Sequence, residues 1–433
     1  MTWGFPFRPM AAALLVFGVA AHAQVSFSLV SSHPMTSQGA TWVTKADLNS
    51  DGIPDLVCAS GYALYLFTNN GDALFTYTKY LPASGPIYSV AAADLEGDGQ
   101  VDLAASSGTS PGWFDVHTNV NNGGVGQLSR YAVGENPRSA AAVDVNMDGK
   151  VDLICANSGN GAGNTLSILT NHVAGVFAVA SSPILYNAPY CIAAADFNND
   201  GYPDLAIANY GLTIMTNDGH GNFAFTFPLS YFVGQGAKSV ATADVNGDGL
   251  IDVVTAGLVT NSVWILTNAG NAKFSLRSVT QVGNYPSSIA PAYLDQDQRI
   301  DLAVANYSDK TVSILTNDGS GAFALATIIA VEGPPSCLIA SDLNGDGKAD
   351  LATANLIPAT MSVFVNTPIL GIIRTNQNIR LSWPAWSGWG LQVADAINSA
   401  GWLSSSYAST SDGTNKFVTI APTNQAQFFR LAK

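Results

Sequence analysis

The chain has 433 residues, of which only 11% are charged, and its formal net charge at pH 7 is −14. This excess of acid argues against nucleic acid as a partner, because phosphate binding requires clustered Lys and Arg. Length alone would allow two or three domains, but internal repeats take precedence over a length estimate.

The N-terminus has the organisation of a secretory signal peptide. Arg8 supplies the positive charge, twelve apolar residues follow from Met10 to Ala21, and Ala21-His22-Ala23 is an A-x-A cleavage site. Twelve residues are too few for a membrane anchor, and no later stretch is long and apolar enough to be a transmembrane segment. We therefore predict a signal peptide over residues 1–23 and a protein that is secreted, periplasmic or on the cell surface.

One acidic motif, Asp-x-Asn-x-Asp-Gly-x-x-Asp-Leu, recurs at intervals of 47 to 52 residues. The first copy runs from Asp47 to Leu56, and a damaged copy runs from Tyr293 to Leu302. The other five copies begin at Asp94, Asp144, Asp196, Asp244 and Asp342. These seven loops hold 22 of the chain's 31 acids, so most of the acidic charge belongs to the motif. A regular period of this length indicates a repeat architecture.

The sequence pattern of each repeat unit predicts four short strands. In the fifth unit they lie at residues 239–243, 252–256, 262–267 and 274–279, separated by the acidic loop and by Gly- and Asn-rich turns. Four strands in a unit of about 49 residues match one blade of a β-propeller. Helical periodicity is absent throughout, which favours an all-β fold.

The two ends of the array indicate a closed ring. The seventh unit stops at Pro368 without a fourth strand, and residues 25–30 have no other place before the first unit. Phe27 also corresponds to the Phe that begins the fourth strand in other units. We therefore predict a seven-bladed β-propeller over residues 24–368, closed by the N-terminal strand. An open β-solenoid is the alternative, but it would leave sheet edges exposed.

These residues resemble the FG-GAP, or VCBS-type, repeat family, which is similar to the propeller of integrin α subunits. The resemblance rests on the acidic loops, on the Asp-Leu strand that follows each, and on the hairpins at Thr216–Phe223 and Thr316–Phe323. It implies Ca²⁺ in the loop between the first two strands of a blade. It implies no single activity, because the family includes adhesion modules, lectin-like proteins and domains attached to enzymes.

Six loops have the ligands of a calcium site. Carboxylate or amide oxygens stand at positions one, three, five and nine, position seven offers its backbone carbonyl, and this order resembles the first half of an EF-hand loop. The candidate ligands are Asp47, Asn49, Asp51, Ile53, Asp55, Asp94, Glu96, Asp98, Gln100, Asp102, Asp144, Asn146, Asp148, Lys150, Asp152, Asp196, Asn198, Asp200, Tyr202, Asp204, Asp244, Asn246, Asp248, Leu250, Asp252, Asp342, Asn344, Asp346, Lys348 and Asp350. The alternative is an Asx-rich turn without metal, which six copies at one spacing make less attractive.

The sixth loop, Tyr293–Asp301, departs from this pattern. Tyr293 replaces the first Asp and Gln298 replaces the Gly, while Asp295, Asp297 and Asp301 remain. We predict weak or absent Ca²⁺ binding there, and therefore about six sites. We also predict that the sites are structural, because a cation relieves the repulsion among the carboxylates of each loop.

Four cysteines remain after residue 23. If the repeats close into a ring, Cys58 falls beside Cys337 and Cys155 beside Cys191, and these are the two disulfide pairings considered. The alternative is that all four are small buried residues at strand positions. We prefer this second interpretation, because spacing alone does not establish connectivity.

Ligand binding is predicted on the face opposite the acidic loops. Loops joining strands two and three, and loops joining one blade to the next, lie on that face and vary in length and composition. Trp113, Phe114, Tyr210 and Tyr307 are the candidate ligand contacts, since they could stack on sugar rings or grip a peptide. Ordinary packing is the alternative for each of them.

Evidence for catalysis is sparse. Gly108-Thr-Ser110-Pro-Gly112 fits the G-x-S-x-G pattern but lies in a propeller loop instead of a strand-to-helix elbow, so we treat it as a chance match. Asp309 and Glu332, in adjoining loops, form the one carboxylate pair that a glycosidase could use. An enzyme is therefore an alternative to a binding module and not the preferred interpretation.

Residues 369–433 lack an acidic loop and contain Trp383, Trp386, Trp389 and Trp402. Four predicted strands suggest a small β-sandwich-like domain, and its Leu-Ser-Trp-Pro and Phe-Phe-Arg-Leu segments resemble tails of secreted Planctomycetes and Verrucomicrobia proteins. An adhesion, sorting or carbohydrate-binding role is one hypothesis, and a purely stabilising role is another.

The whole sequence predicts a secreted, calcium-stabilised propeller that binds or adheres to a glycan or protein ligand. A polysaccharide-active lyase or hydrolase and a structural envelope protein are the alternatives. The sequence does not predict an oligomeric state.

Overall fold

The computed structural model describes residues 25–432 apart from positions 36–38, 109, 119–127, 160–163, 174, 227, 229, 296, 368–370, 376–377, 385–389, 395–402, 412–414 and 421–427. The predicted signal peptide lies outside the described residues, as do Trp386, Trp389 and Trp402. Every regular element in the described part is a β-strand. That part of the chain contains no helix long and apolar enough to cross a membrane.

Twenty-eight strands form seven four-stranded antiparallel sheets, which we call blades 1 to 7. Blades 1 to 3 contain β2 (Ala40–Ala46), β3 (Asp55–Ser60), β4 (Ala63–Asn69) and β5 (Phe75–Pro82); β6 (Ile87–Ala93), β7 (Asp102–Ser107), β8 (Gly112–His117) and β9 (Leu128–Val133); and β10 (Pro137–Val143), β11 (Asp152–Asn157), β12 (Thr165–Val173) and β13 (Val176–Ser181). Blades 4 to 6 contain β14 (Cys191–Ala195), β15 (Asp204–Ala208), β16 (Leu212–Asn217) and β17 (Phe223–Phe225); β18 (Ala237–Ala243), β19 (Asp252–Gly257), β20 (Ser262–Asn268) and β21 (Phe274–Gln281); and β22 (Pro286–Ala292), β23 (Asp301–Asn306), β24 (Thr311–Asn317) and β25 (Phe323–Ala330). Blade 7 contains β26 (Pro335–Ser341), β27 (Asp350–Asn355), β28 (Thr360–Asn366) and β1 (Phe27–Pro34).

The blades close into a ring. The first strand of each blade contacts the first strand of the next, in the order β2, β6, β10, β14, β18, β22 and β26, and β26 returns to β2. The N-terminal β1 is the fourth strand of blade 7 and pairs antiparallel with β28. Phe27 faces Asn366 there as Phe274 faces Asn268 in blade 5, which confirms the predicted closure and register.

The second strand of each blade lies in the core. All described residues of β3, β7, β11, β15, β19, β23 and β27 are buried, so the repeated Asp-Leu segment is covered on both of its faces. Each hydrophobic cluster of the ring joins neighbouring blades; Val254 and Val263 of blade 5, for example, pack with Leu302 and Val304 of blade 6. Each such side chain contributes roughly 1.5–3 kcal/mol by leaving water, so the ring is stabilised by contacts between blades.

All four cysteines are free, and three of them are fully buried. Cys58 and Cys337 share a hydrophobic cluster between blades 1 and 7, as the ring order predicts. Cys155 and Cys191 lie in different clusters, so the idea that they could pair is wrong. Cys155 faces the interface between blades 2 and 3, whereas Cys191 packs at the interface between blades 4 and 5.

The C-terminal segment forms two further sheets. One contains β29 (Gly371–Thr375), β30 (Asn378–Pro384), β34 (Asn415–Ile420) and β33 (Thr410–Ser411), and the other contains β32 (Leu403–Ser404), β31 (Gly390–Ala394) and β35 (Phe428–Ala432). Leu381 of the first sheet and Leu391 of the second share a buried cluster with Val418 and Ile420. Two sheets around one core agree with the predicted sandwich-like arrangement.

Candidate calcium loops and ligand-binding face

The acidic loops join the first and second strands of their blades and are ordered by their own carboxylates. In the first loop, Asp47 accepts hydrogen bonds from the backbone N–H groups of Asp51 and Gly52 at 3.1 and 2.9 Å. Asp51 accepts one from Ile53 N–H at 2.8 Å. Gly52 has φ 81°, a left-handed conformation that favours glycine at this position. The same bonds recur in the other intact loops, so the predicted ligand positions share one local geometry.

The Asp at position nine is fully buried in every loop and also serves as a structural acceptor. In the fourth loop, Asp204 accepts hydrogen bonds from Phe197 N–H at 3.1 Å and Asn217 N–H at 2.8 Å. Burial, assisted by nearby carboxylates, raises the pKa of Asp204 and Asp252 to about 6 and that of Asp350 to about 7. Their ionised forms are therefore costly unless a cation lies beside them.

The residues of the six intact loops fit a hard divalent cation. Every predicted side-chain donor is a carboxylate or amide oxygen, which is the ligand chemistry of Ca²⁺. In the seventh loop, Asn344 Oδ1 is buried and accepts no hydrogen bond from any described group. Asp342, Asn344, Asp346 and Asp350 would hold an ion there, together with the backbone carbonyl of Lys348. When bound, the ion would supply the charge that offsets the carboxylates.

The damaged sixth loop holds three acids, as most intact loops do, but it lacks the carboxylate at position one. Tyr293 is 55% exposed and contributes no carboxylate, whereas ligand atoms of Asp295, Asp297 and Asp301 lie within 4.8 Å of one another and could hold a metal ion. Arg299 forms an ion pair with Asp297 at 3.2 Å, so a protein cation already balances part of this charge. Gln298 adopts φ 61° where the other loops have Gly. Weak calcium binding at this loop stays a prediction.

Buried asparagines connect six of the seven loops to the next blade in the described part of the chain. Asn268, the last residue of β20, donates from Nδ2 to the carbonyl of Phe197 in the preceding blade's loop at 2.8 Å and to Ile251 O at 3.1 Å. Its backbone N–H bonds Asp252 at 2.8 Å. The equivalent inter-blade bonds are made by Asn69, Asn171, Asn217, Asn317 and Asn366. This role was not predicted from the sequence, although the Thr-Asn that ends the third strand in most units was its signal.

The predicted ligand contacts have different environments. Tyr210 is 64% exposed, and Trp113 is partly buried. Tyr307 is also partly buried and packs against Tyr285, with ring centroids 5.5 Å apart. The prediction for Phe114 is wrong, because its side chain is fully buried in the cluster between blades 2 and 3.

Four exposed aromatic residues on the same face were missed by the sequence analysis. They lie in loops between strands two and three or between blades, and they are Tyr62, Tyr186, Phe232 and Tyr285. For Tyr62, Tyr186 and Tyr285 the signal that could have found them is an aromatic residue directly beside Gly or Asn in these loops, and Phe232 lies two residues before Gly234. We call this side of the propeller, away from the acidic loops, the aromatic face.

The candidate catalytic groups are engaged in structural hydrogen bonds. Asp309 accepts from the backbone and side chain of Asn284 at 2.7 and 2.8 Å, and these bonds lower the pKa of its carboxyl group. Glu332 accepts from Ser32 at 2.6 Å. Ser110 donates to Glu135 at 2.8 Å, so the described partner of this serine is a carboxylate and not a histidine. A carboxyl group with a lowered pKa is poorly suited to act as a general acid.

The closed ring of blades with acidic loops on one face defines a β-propeller built from acidic-loop repeats. The chain belongs to the FG-GAP-like repeat family, whose profile matches residues 47–105, 144–207, 196–255, 244–304 and 293–353. No curated protein matches the chain significantly.

Two solved structures are similar in fold. BBS1N, solved in complex with ARL6DN, has a TM-score of 0.57 at 13% identity, over 79% of this chain and 98% of that one. An Agrocybe aegerita lectin that recognises non-reducing terminal N-acetylglucosamine has a TM-score of 0.51 at 19% identity, over 77% and 86%. At these identities the likeness shows the propeller fold alone.

Proposed function

We propose that this protein is a secreted, calcium-stabilised propeller that binds a glycan through its aromatic face. The observation that carries the proposal is the collection of exposed aromatic side chains on that face, among them Tyr210 and Phe232, which are 64% and 74% exposed. Sugar rings present apolar C–H faces that stack on aromatic rings. The opposite face consists largely of acidic turns bonded to themselves, so it offers a ligand fewer such surfaces.

Neighbouring rings hold several of these aromatic residues in place. Tyr186 packs against Phe225 with ring centroids 5.6 Å apart, and Phe232 packs edge-on against Trp264 at 5.8 Å. A side chain already restricted by a neighbour loses less conformational entropy when a ligand stacks on it. Rigid exposed rings on a rigid scaffold therefore favour binding over simple packing.

The similar structures are consistent with this proposal but do not distinguish a glycan ligand from a protein ligand. One of them recognises a terminal N-acetylglucosamine, and the other is a complex with a protein. A polysaccharide-active enzyme is the less favoured alternative, because Asp309 and Glu332 are both hydrogen-bonded to neighbouring side chains. Export would bring the protein into contact with the extracellular calcium that we propose for the loops. N-terminal sequencing of the exported protein should then show Gln24 as its first residue.

A glycan array probed with the calcium-loaded mature protein tests the proposal. We expect binding that falls about tenfold in Tyr210→Ala or Phe232→Ala, since one stacked ring is worth about 1.4 kcal/mol. Tyr293→Ala is the matched control, because Tyr293 is also exposed but lies on the acidic-loop face. Absence of glycan binding, or an equal loss in the control, would refute the proposal; capture of a protein ligand alone would favour a protein-binding module.

A further inference from the structure

A pocket of about 310 Å³ lies on the propeller axis where the inner strands begin. Six of these strands carry a register shift at their second residue, between Ala40 and Trp42 in β2, for example, which frees that side chain from the ladder. The freed residues are Thr41, Tyr88, Arg138, Lys238, Ser287 and Ser336, and Tyr190 lies at the equivalent position before β14. All seven line the pocket, so each blade contributes one side chain.

The two cations of this ring are held by aromatic rings and not by carboxylates. The Arg138 guanidinium lies 4.6 Å from the centroid of the Tyr88 ring, and the Lys238 ammonium lies 4.6 Å from that of Tyr190. Neither cation is ion-paired with any residue in the described part of the chain. Burial, followed by the charge of Arg138, lowers the pKa of Lys238, which is the expected result of enclosing two like charges.

The hydroxyl groups on the other side of the ring are already engaged. Ser287 donates to Pro335 O at 2.6 Å, Ser336 to Ala40 O at 2.7 Å, and Thr41 to Ile87 O at 2.9 Å. Each bond reaches the next blade, so these three residues link neighbouring blades of the ring. Arg138 Nε donates to Ser158 Oγ at 3.3 Å, so the terminal guanidinium N–H groups of Arg138 and the Lys238 ammonium are the pocket's charged donors.

Two cations without counter-charge are unusual in a chain of net charge −14. The acids of the repeat lie in loops at the far ends of the same inner strands, so the two ends of the axis differ in charge. A recessed pocket with two positive groups concentrates its field on an entering anion. Its volume is at the small end of ligand pockets, about 300–1,000 Å³, and suits one sugar ring.

We infer that the axial pocket receives an anionic sugar residue, whose carboxylate or sulfate group binds Arg138 and Lys238 while its ring lies beside the flanking tyrosines. This inference rests on the proposed glycan-binding function and names its substrate class. Guanidinium groups bind carboxylate and sulfate oxygens through paired N–H donors, whereas a neutral sugar would leave both cations without a counter-charge.

The test measures binding of D-galacturonate, galactose 6-sulfate and D-galactose to the calcium-loaded full-length mature protein by calorimetry. We expect at least one anionic sugar to bind ten or more times more tightly than galactose, with weaker binding at high salt. Arg138→Gln and Lys238→Met should each reduce that affinity about tenfold or more. Lys273→Met, an exposed lysine in the hairpin on the acidic-loop face, is the control, and thermal melts should show that all variants fold.

The two anionic sugars distinguish a carboxylate-selective pocket from a sulfate-selective one. Equal affinity for charged and neutral sugars, or unchanged anion binding in the Arg138→Gln, Lys238→Met double variant, would overturn the inference. Glycan binding that depends on Tyr210 and Phe232 but not on these cations would overturn it while leaving the proposed function intact. Absence of binding to any glycan on the array would overturn both.

Discussion

Asp252 has two roles: it is a predicted calcium ligand, and it accepts hydrogen bonds that hold its blade together. It is a predicted calcium ligand, yet its two carboxylate oxygens already accept hydrogen bonds from Val245 N–H at 3.1 Å and Asn268 N–H at 2.8 Å. These bonds join the acidic loop to the third strand of the same blade. The residue therefore contributes to folding directly and to metal binding through its charge, and burial makes that charge costly without a cation.

The burial of two neighbouring residues on one strand could not be predicted from the sequence. Trp113 and Phe114 are adjacent in β8, and both were predicted as ligand contacts. Successive side chains of a strand point to opposite faces, so one of the pair had to face away from the other. The structure buries Phe114 and leaves Trp113 partly exposed. The sequence shows that the two rings lie on opposite faces of the strand. It does not show which of these faces packs against the neighbouring blade.

His33 gives a pH prediction at the scale of one residue. Its ring lies 5.1 Å from that of Phe67, its Nε2 is buried without a described partner, and burial lowers its pKa below the ordinary 6.5. As pH falls below 6.5 the unfolded chain takes up a proton that the folded state resists, so stability decreases. In saturating Ca²⁺, the urea midpoint of the wild type should drop more between pH 7 and 5 than that of His33→Phe. His220→Phe, at an exposed hairpin, should follow the wild type; parallel curves for all three would contradict the prediction.

At the scale of elements, the acidic loop and the following hairpin act as one joint between blades. The loop lies between the first two strands of one blade, and the asparagine that ends the next blade's third strand bonds its carbonyl. A buried amide that satisfies two carbonyls at once leaves both unpaired when it is removed. The repeat is therefore stabilised across its boundaries as well as within each blade.

Asn268→Ala tests this joint. The substitution removes the donors to Phe197 O and Ile251 O, and we expect a loss of about 2–4 kcal/mol in the free energy of unfolding, measured by denaturant titration in excess Ca²⁺. Asn222→Ala is the control, because Asn222 is exposed in a hairpin and bonds only within it. Equal losses in the two variants would show that the inter-blade bond is not important for stability.

At the scale of the whole molecule, the ring spreads its acid over seven similar loops and encloses a pocket between two cations on the axis. The six intact loops place carboxylates at one spacing, and six Ca²⁺ ions would nearly neutralise a net charge of −14. Because each hydrophobic cluster of the ring joins neighbouring blades, weakening one blade's loop affects the next. Calcium should therefore stabilise the ring cooperatively.

Chelation tests this expectation. Each independent site filled at 100 times its Kd adds about 2.7 kcal/mol to stability, so excess EDTA should lower the melting temperature sharply and added Ca²⁺ should restore it. The measurement is a calorimetric melt in EDTA, in Ca²⁺, and in EDTA followed by excess Ca²⁺. Excess Mg²⁺ is the control, since an octahedral ion suits these loops less well. An unchanged melting curve in EDTA would contradict a structural role for calcium.

The sequence by itself determined the all-β class, the number of repeats, the closing strand and the predicted ligand set of the acidic loops. These follow from local rules: a period, a strand pattern and a spacing of oxygen donors. Only the tertiary structure decided that Phe114 is buried, that Asn268 joins two blades, and that Arg138 and Lys238 meet on the axis. Each of these depends on residues from different blades, and their side-chain directions depend on strand bulges and on the packing of the blades around the ring.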